Sequence, residues 1–327
     1  MVTEATTPKL VAPKVRRMIP GISIIGPGKV GTALGVLAVR GGLRVVAVGG
    51  RDAGKVEAAA KAIGPGVKAC GIEEAARAGG LVLLTVPDDA IQAVCKGLAG
   101  AGAFRRGAIA AHCSGAMGSE VLVAAKEKCG CHVGSMHPLQ TFPTVEAAVA
   151  KLPGTYFFCE GDEVAANALE GLASAIGGRP VRITPQAKPL YHAAAVMACN
   201  YLTALMDAAM ELAGDAGIDR ATAMAALEPL VRSTVDNVFS LGTQEALTGP
   251  IARGDVQTVQ RHLMAMPANR KALRMIYLTL GAWAAEMARK KGTLSISKAT
   301  ETLAVLAGTH LDEVTQKKRR RRMRRRR

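Results

Sequence analysis

Aromatic side chains are scarce in this sequence: five phenylalanines, four tyrosines and one tryptophan, 3% of 327 residues. Packing therefore falls to alanine, valine and leucine, a set suited to helices laid on a parallel sheet. No run of 18 or more apolar residues occurs, and the longest candidate, His192 to Met206, is short and interrupted by His192 and Asn200, so no membrane span is expected. The first 18 residues contain Thr, Pro, Lys and Arg but lack the apolar centre of a secretory leader, and are read as a mobile tail. Seven scattered cysteines make no paired framework and suit reduced thiols in the cytoplasm. Cys129-Gly130-Cys131-His132 has no second ligand cluster at partner spacing, so no metal site is expected.

Acidic residues are outnumbered, 26 Asp and Glu against 42 Lys and Arg, for a net charge of +16. Much of that excess is terminal: Lys317, Lys318, Arg319 to Arg322 and Arg324 to Arg327 hold ten positive charges. Such a block is self-repelling and is expected to be disordered over 315–327. It has no interleaved aromatics and no folded reader beside it. It offers electrostatic contact with nucleic acid or an acidic surface, and is expected to be an appendage and not the function.

Glycine is abundant, with 36 residues, and one stretch uses it in a defined order. Ile22-Ser23-Ile24-Ile25 is a short apolar strand that runs into Gly26-Pro27-Gly28-Lys29-Val30-Gly31 and then into an Ala/Leu/Val-rich helix through about Arg40. In a dinucleotide fold the first glycine makes the tight turn. The second lets a pyrophosphate approach the backbone, and the third lets helix and strand pack closely. A second strand, Leu43–Val48, completes a βαβ unit and ends at Gly49-Gly50-Arg51-Asp52. A basic residue there accommodates a 2′-phosphate, so Arg51 favours NADP over NAD. Asp52 can alternatively be an N-cap beside a merely solvated Arg51. Leu81–Pro87 reads as a buried parallel strand whose end, at Val86 and Pro87, faces the cofactor. Gly26, Pro27, Gly28, Lys29, Val30, Gly31, Arg51, Val86 and Pro87 are the expected cofactor contacts.

Further strands are expected at 67–70, 108–112, 131–136, 155–159 and 180–183. The dinucleotide-binding domain is expected over 19–184. From Gln186 strand alternation disappears, and 185–314 reads as one all-helical domain opened by a long helix from Pro189 to about Ala213. The fold class is thus α/β at the N-terminus with an all-α C-terminal domain.

Candidate chemistry gathers at three places. Ser114 follows the strand at 108–112, either lining the cleft or capping the next helix, and His137 lies beyond it. Lys188-Pro189-Leu190-Tyr191-His192 opens the long helix. Pro189 at position N1 makes Lys188 the cap residue, a poor choice that opposes the helix dipole and hints at a site. Asn200 lies about 80° around the same helix from His192. Hydride transfer to a carbonyl needs a proton donor, which Lys188 or His192 can supply, and an orienting group, which Asn200 can supply. Arg253, on a Gly/Pro loop ahead of Asp255, offers a fork for a substrate carboxylate or is a surface arginine beside a helix cap.

Taken in order, Gly26–Gly31, Val86-Pro87-Asp88-Asp89-Ala90-Ile91, His112-Cys113-Ser114-Gly115-Ala116, His137-Pro138-Leu139-Gln140-Thr141-Phe142, Tyr191-His192 through Asn200, and Leu247-Thr248-Gly249-Pro250 with Arg253, Asp255, Thr258 and His262 resemble a family of bacterial oxidoreductases. That family pairs a Rossmann-like domain with a helical domain, and the resemblance covers about 19–314. It implies a C-terminal domain similar to those of 6-phosphogluconate dehydrogenase, pyrroline-5-carboxylate reductase and ketopantoate reductase, with homodimers formed through the helical domains. It also implies a tie to a divergent ketopantoate reductase clade. Related enzymes often carry Lys-x-x-x-Asn on the long helix. Here His192 stands four residues after Lys188, and Asn200 comes later. The expectation is a cytoplasmic NADP-dependent reductase of a small 2-oxo acid such as 2-dehydropantoate. Imine reduction, hydride exchange with a deazaflavin, and a non-catalytic NADP-sensing module are the alternatives.

Overall fold

The computed structural model describes residues 18–308. The expected N-terminal tail, apart from Met18, and the basic block at 315–327 lie outside the described residues. The chain divides into two compact units between Cys199 and Asn200.

The first unit is built on an eight-stranded sheet in the order β3-β2-β1-β4-β5-β6-β7-β8. The strands are β1 Ile22–Ile25, β2 Val45–Gly49, β3 Lys68–Cys70, β4 Leu81–Leu84, β5 Ile109–His112, β6 His132–Pro138, β7 Tyr156–Gly161 and β8 Arg179–Arg182. All neighbours are parallel except β6 and β7, which pair antiparallel. β1 and β4 are apolar apart from Ser23 and buried at every position, as parallel strands covered on both faces require.

Helices α1 Lys29–Arg40, α2 Ala53–Ile63, α6 Val145–Lys151 and α7 Glu163–Ala175 share one apolar cluster on one face. Helices α3 Ile72–Ala78, α4 Asp88–Gly100 and α5 Val123–Cys129 share another on the opposite face. Sequence periodicity does not reveal α6. Its local signal is Thr144, whose hydroxyl accepts from Ala147 N at 3.1 Å and caps the helix. The strand order reverses between β1 and β4, which puts the topological switch point at the glycine loop.

The expected long helix is in fact two. α8, Lys188–Ala198, ends at Cys199 (φ −115°, ψ −67°), and α9 runs Asn200–Asp215. The unit boundary falls at this break and not at 184/185, because α8 is anchored to the sheet through Lys188. The helical stretch Pro185–Asp215 is long and apolar enough to cross a membrane by length and composition, which the apolar-run count did not register. Its first turns are nevertheless tied to β6 and β7 by the polar contacts described below.

The second unit holds α9 with α10 Arg220–Leu241, α11 Thr243–Ala246, α12 Val256–Ala265, α13 Lys271–Lys291 and α14 Ile296–Leu306. Its core comprises two small clusters, Ala252 with Ala285, Ala288, Leu294 and Ala299, and Val256 with Val259, Leu263, Val305 and Leu306.

A Cβ on Gly31 would lie 2.3 Å from Thr85 Oγ1 and 2.7 Å from Gly26 O. Gly31→Ala is expected to cost about 1–3 kcal/mol in urea unfolding through overpacking. Nothing lies within 4 Å of the Cβ position at Gly28. Gly28→Ser, which places a good N-cap in open space, should stay within about 0.5 kcal/mol of wild type. Equal losses from the two would contradict this account of the turn.

Candidate active site

The glycine loop is clamped to the end of β4. Gly26 takes φ +111°, and a Cβ there would meet the Thr85 carbonyl group at 2.9 Å. The Thr85 hydroxyl donates to Gly26 O at 2.8 Å. Gly28 is the N-cap of α1, with no side-chain cap and no acidic residue in the first turn. The N–H groups of that turn are therefore open to an anion, with the positive end of the helix dipole behind them. A Cβ on Gly50 would strike Pro27 Cδ at 2.7 Å, so the end of β2 packs on the loop. Asp52 caps α2, accepting from Lys55 N at 3.0 Å. Its carboxylate serves the helix, and Arg51 beside it is exposed. Lys29 and Pro87 are exposed, while Val30 and Val86 are half-buried. The open first-turn N–H groups behind the glycine loop fit the pyrophosphate of a dinucleotide.

Further along the sheet, strand register builds a row. Leu84 pairs with His112, His112 with Ser135, and Ser135 with Glu160. These side chains share the face that carries α4 and α5, and the row turns polar beyond β4. His112, Ser135 and Glu160 are all buried. Lys188, at the start of α8, reaches into this row and is fully buried. Its ammonium donates to Ser114 O at 2.7 Å and to Ser135 Oγ, and lies 3.8 Å from Glu160 Oε1. Ser135 Oγ in turn donates to Glu160 Oε1, and Ser119 Oγ donates to Glu160 Oε2 at 2.8 Å. Burial pushes the Lys188 pKa below its usual value, and the Glu160 charge pulls the other way.

His112 has a defined tautomer. Ser114 N–H donates to its Nδ1 at 3.1 Å, so Nε2 carries the proton and donates to Gly118 O at 3.1 Å. Burial, with the Lys188 charge adding to it, lowers its pKa to about 4. Ser114 is buried and its hydroxyl is engaged: it donates to Asp88 Oδ2 at 2.7 Å and accepts from Ala116 N and Met117 N at 3.2 Å each.

Two residues beyond Ser135 on the same face of β6 is His137, paired across the strands with Phe158. One turn beyond Lys188 on α8 are Tyr191 and His192. Tyr191 OH lies 2.8 Å from His137 Nδ1, and its ring packs on Phe158 with centroids 4.1 Å apart. The His192 ring meets His137 edge-on at 5.7 Å. A Cβ on Gly115 would lie 2.4 Å from His192 Cδ2 and 2.8 Å from His137 Nε2, so only glycine lets both imidazoles close on the loop after β5. Burial lowers the His137 pKa to about 4, reinforced by Lys188 and His192, with Asp88 opposing. Burial also raises the Tyr191 pKa.

Several expected roles change. Lys188 is neither a cap nor exposed: Ala187 caps α8, and the lysine is the first helical residue, turned into the interior. The hydroxyl of Ser114 is committed to the loop and does not line an open cleft. The 80° estimate linking His192 to Asn200 assumed one helix, whereas Asn200 is exposed and opens α9 in the second unit. Arg253 is exposed in that unit, on the loop before α12, and Asp255 caps α12 by accepting from Thr258 N at 3.1 Å. His192 and His137 do come together. Tyr191, Ser135 and Glu160 are the residues that sequence reasoning missed. Their signal was spacing: Ser135-x-His137 and Phe158-x-Glu160 at strand period, and Lys188-x-x-Tyr191-His192 at helix period. Cys129 and Cys131 donate to separate carbonyls, Ala99 O and Arg105 O, and His132 pairs with Asp162. No group of three metal-ligating side chains occurs among the described residues.

Comparison with known proteins supports the architecture. A Rossmann-like domain profile matches residues 6–138, and the profile of a domain of unknown function, DUF2520, matches residues 155–284. A protein of Bacteroides fragilis assigned as an NADP oxidoreductase is 24% identical with a TM-score of 0.65, covering 81% of this chain and 98% of its own. A Thermotoga maritima protein is 24% identical with a TM-score of 0.60, covering 82% and 99% respectively. An NADH-preferring ketol-acid reductoisomerase from an uncultured archaeon is 16% identical with a TM-score of 0.57, covering 96% and 92%. No curated protein sequence matches significantly. At these identities the likeness is one of fold.

The low imidazole pKa values set a pH dependence. Between pH 4 and 6.5 the unfolded chain binds protons at His112 and His137 that the native state does not, so stability rises with pH across that window and falls on acidification. Each histidine accounts for up to about 3 kcal/mol. Urea unfolding at pH 7, 5 and 4 should show a smaller acid loss in His112→Gln than in wild type. Identical losses would place the imidazole in water.

Proposed function

We propose that this chain is an NAD(P)H-dependent oxidoreductase that reduces a small 2-oxo acid, with NADPH preferred and 2-dehydropantoate the leading candidate substrate. One observation carries the reading. The uncapped N-terminus of α1, behind Gly26, Gly28 and Gly31, and the His137–Tyr191–His192 cluster stand at the carboxyl-end edge of the parallel run β1–β4–β5–β6 of one sheet. That edge is where open α/β folds bind ligands. When bound, a reduced nicotinamide supplies the hydride.

The chain's own residues then have separable tasks. The first-turn N–H groups of α1 hold the pyrophosphate, and Gly28 leaves it room. Thr85 keeps the loop in register with β4. Arg51 takes the 2′-phosphate while Asp52 is occupied as a cap. The imidazole cluster handles the proton. Arg253, with its exposed guanidinium, is the residue proposed for a substrate carboxylate. Lys188 positions the loop after β5 and does not touch substrate.

The same reading makes the protein a cytoplasmic homodimer. Cys70, Cys95, Cys113, Cys129, Cys131 and Cys159 are free thiols, and α10 of the helical unit exposes large apolar side chains, Phe239 at 86% and Leu230 at 62%.

Fluorescence titration with NADPH and NADH, followed by addition of 2-dehydropantoate and measurement of cofactor absorbance, tests the reading. Wild type should bind NADPH more tightly and turn over. Arg51→Ala should weaken NADPH about tenfold, the equivalent of about 1.4 kcal/mol, and leave NADH unchanged. Equal loss for both cofactors would remove the 2′-phosphate role, and no binding of either would overturn the proposal.

A further inference from the structure

We propose that His137 delivers the proton to the substrate oxygen and that Tyr191 sets the imidazole tautomer that allows it. The inference rests on the oxidoreductase reading above and identifies the acid within that site.

Three of the polar side chains near this edge are already committed. Lys188 is sealed in the interior and committed to Ser114 O, Ser135 and Glu160. The Ser114 hydroxyl is spent on Asp88 and on two backbone N–H groups. His112 uses both ring nitrogens, one for Ser114 N and one for Gly118 O. His137 differs. Its Nδ1 meets Tyr191 OH at 2.8 Å, while its Nε2 has no hydrogen-bond partner among the described residues and lies 2.8 Å from where a Cβ on Gly115 would stand. Tyr191 is held for this contact from two sides, by the Phe158 ring and by its place one helical turn beyond the buried Lys188 anchor. A neutral imidazole that accepts the phenol proton at Nδ1 must carry its own proton at Nε2. That proton is directed at the loop following β5, on the carboxyl-end edge of the sheet.

The titratable groups facing His137 keep it neutral. Lys188, Tyr191 and His192 come from α8 and Asp88 from α4, and burial, with Lys188 and then His192 acting in the same direction, outweighs the carboxylate. Tyr191 remains a phenol in the same surroundings. Proton transfer then balances simply. A bound reduced nicotinamide would supply hydride to the carbonyl carbon, and the C=O π pair would move to oxygen. An O–H bond forms there as the His137 Nε2–H bond breaks. Nδ1 takes the Tyr191 proton as the phenol oxygen takes one from solvent hydronium, so the proton consumed in the reduction comes from bulk and Tyr191 stays a phenol. The imidazole ends neutral with its tautomer reversed, and it resets by proton exchange.

The test uses full-length protein labelled with ¹⁵N-histidine, because ring nitrogen shifts report the tautomer directly. Wild-type His137 should show a protonated Nε2 and an unprotonated Nδ1 at neutral pH, and Tyr191→Phe should abolish that bias. In parallel, NADPH affinity should be unchanged in Tyr191→Phe and His137→Gln. With 2-dehydropantoate, kcat should fall about tenfold in the first and on the order of 10²–10⁴-fold in the second, the range of general acid catalysis. A wild-type Nδ1–H tautomer, or full kcat in His137→Gln, would overturn the inference. If wild type binds NADPH but leaves 2-dehydropantoate unreduced, the substrate reading fails and the tautomer decides alone. An Nε2–H form lost in Tyr191→Phe upholds the pair, and an Nδ1–H form sinks it. Failure of wild type to bind NADPH would remove the cofactor reading on which the inference rests, and the inference with it.

Discussion

A lysine and a glutamate buried together under α8 hold the candidate site in shape. Taking either ion out of water costs several kcal/mol, and mutual attraction offsets this only when the remaining donors and acceptors are satisfied. Here the two Glu160 oxygens receive Ser135 and Ser119, and Lys188 is shared between Ser135 and the Ser114 carbonyl. Removing one member would strand its partner's charge, typically at about 3–5 kcal/mol. The pair is therefore a poor source of net stability but a strong specifier of position. An apolar contact could slide along the strand, whereas the ammonium has one place where its acceptors converge.

That fixed point propagates in both directions. Along α8, helical spacing converts the Lys188 anchor into the placement of Tyr191 and His192 three and four residues on, over the β6 face that displays His137. Along the loop after β5, the bond to Ser114 O joins with the Asp88–Ser114 bond to fix Gly115 where the imidazoles close on it. At the dinucleotide end the clamp is separate and smaller: Thr85 bonds Gly26 O, and Gly31 packs against Thr85. Both clamps hold loops at the carboxyl ends of β4 and β5, adjacent strands of one sheet.

The sequence made the dinucleotide half legible because its signals are local. Gly26, Gly28 and Gly31 each answer a backbone demand within one βα turn, and buried parallel strands announce themselves as unbroken apolar runs. Asp52 and Asp255 were legible as caps for the same reason. The polar row was not, because His112, Ser135, Glu160 and Lys188 come from four elements, and only register brings them together. Lys188 was singled out for the right anomaly, a cation at a helix start, with the wrong resolution. The anomaly is answered by Glu160, which is distant in sequence, and not by solvent or substrate. The break at Cys199 escaped because nothing in an Ala/Met/Leu run marks it: no glycine or proline stands there, and α9 resumes at once.

The presence of charge under the site, where apolar residues of similar volume could pack, has a consequence for the imidazoles above it. Well-packed apolar replacements for a buried ion pair often leave stability unchanged, so stability alone does not require Lys188. Its charge does what a hydrocarbon could not. With burial it disfavours protonation of both His112 and His137, and a neutral His137 can accept from Tyr191 at one nitrogen while donating from the other. An imidazolium would carry protons on both nitrogens and lose the phenol's hydrogen bond at Nδ1. Burial alone would also lower these pKa values, but less, and it would not choose where α8 sits. The lysine does both with one side chain, since the carbonyl that locates it belongs to the loop on which the imidazoles close.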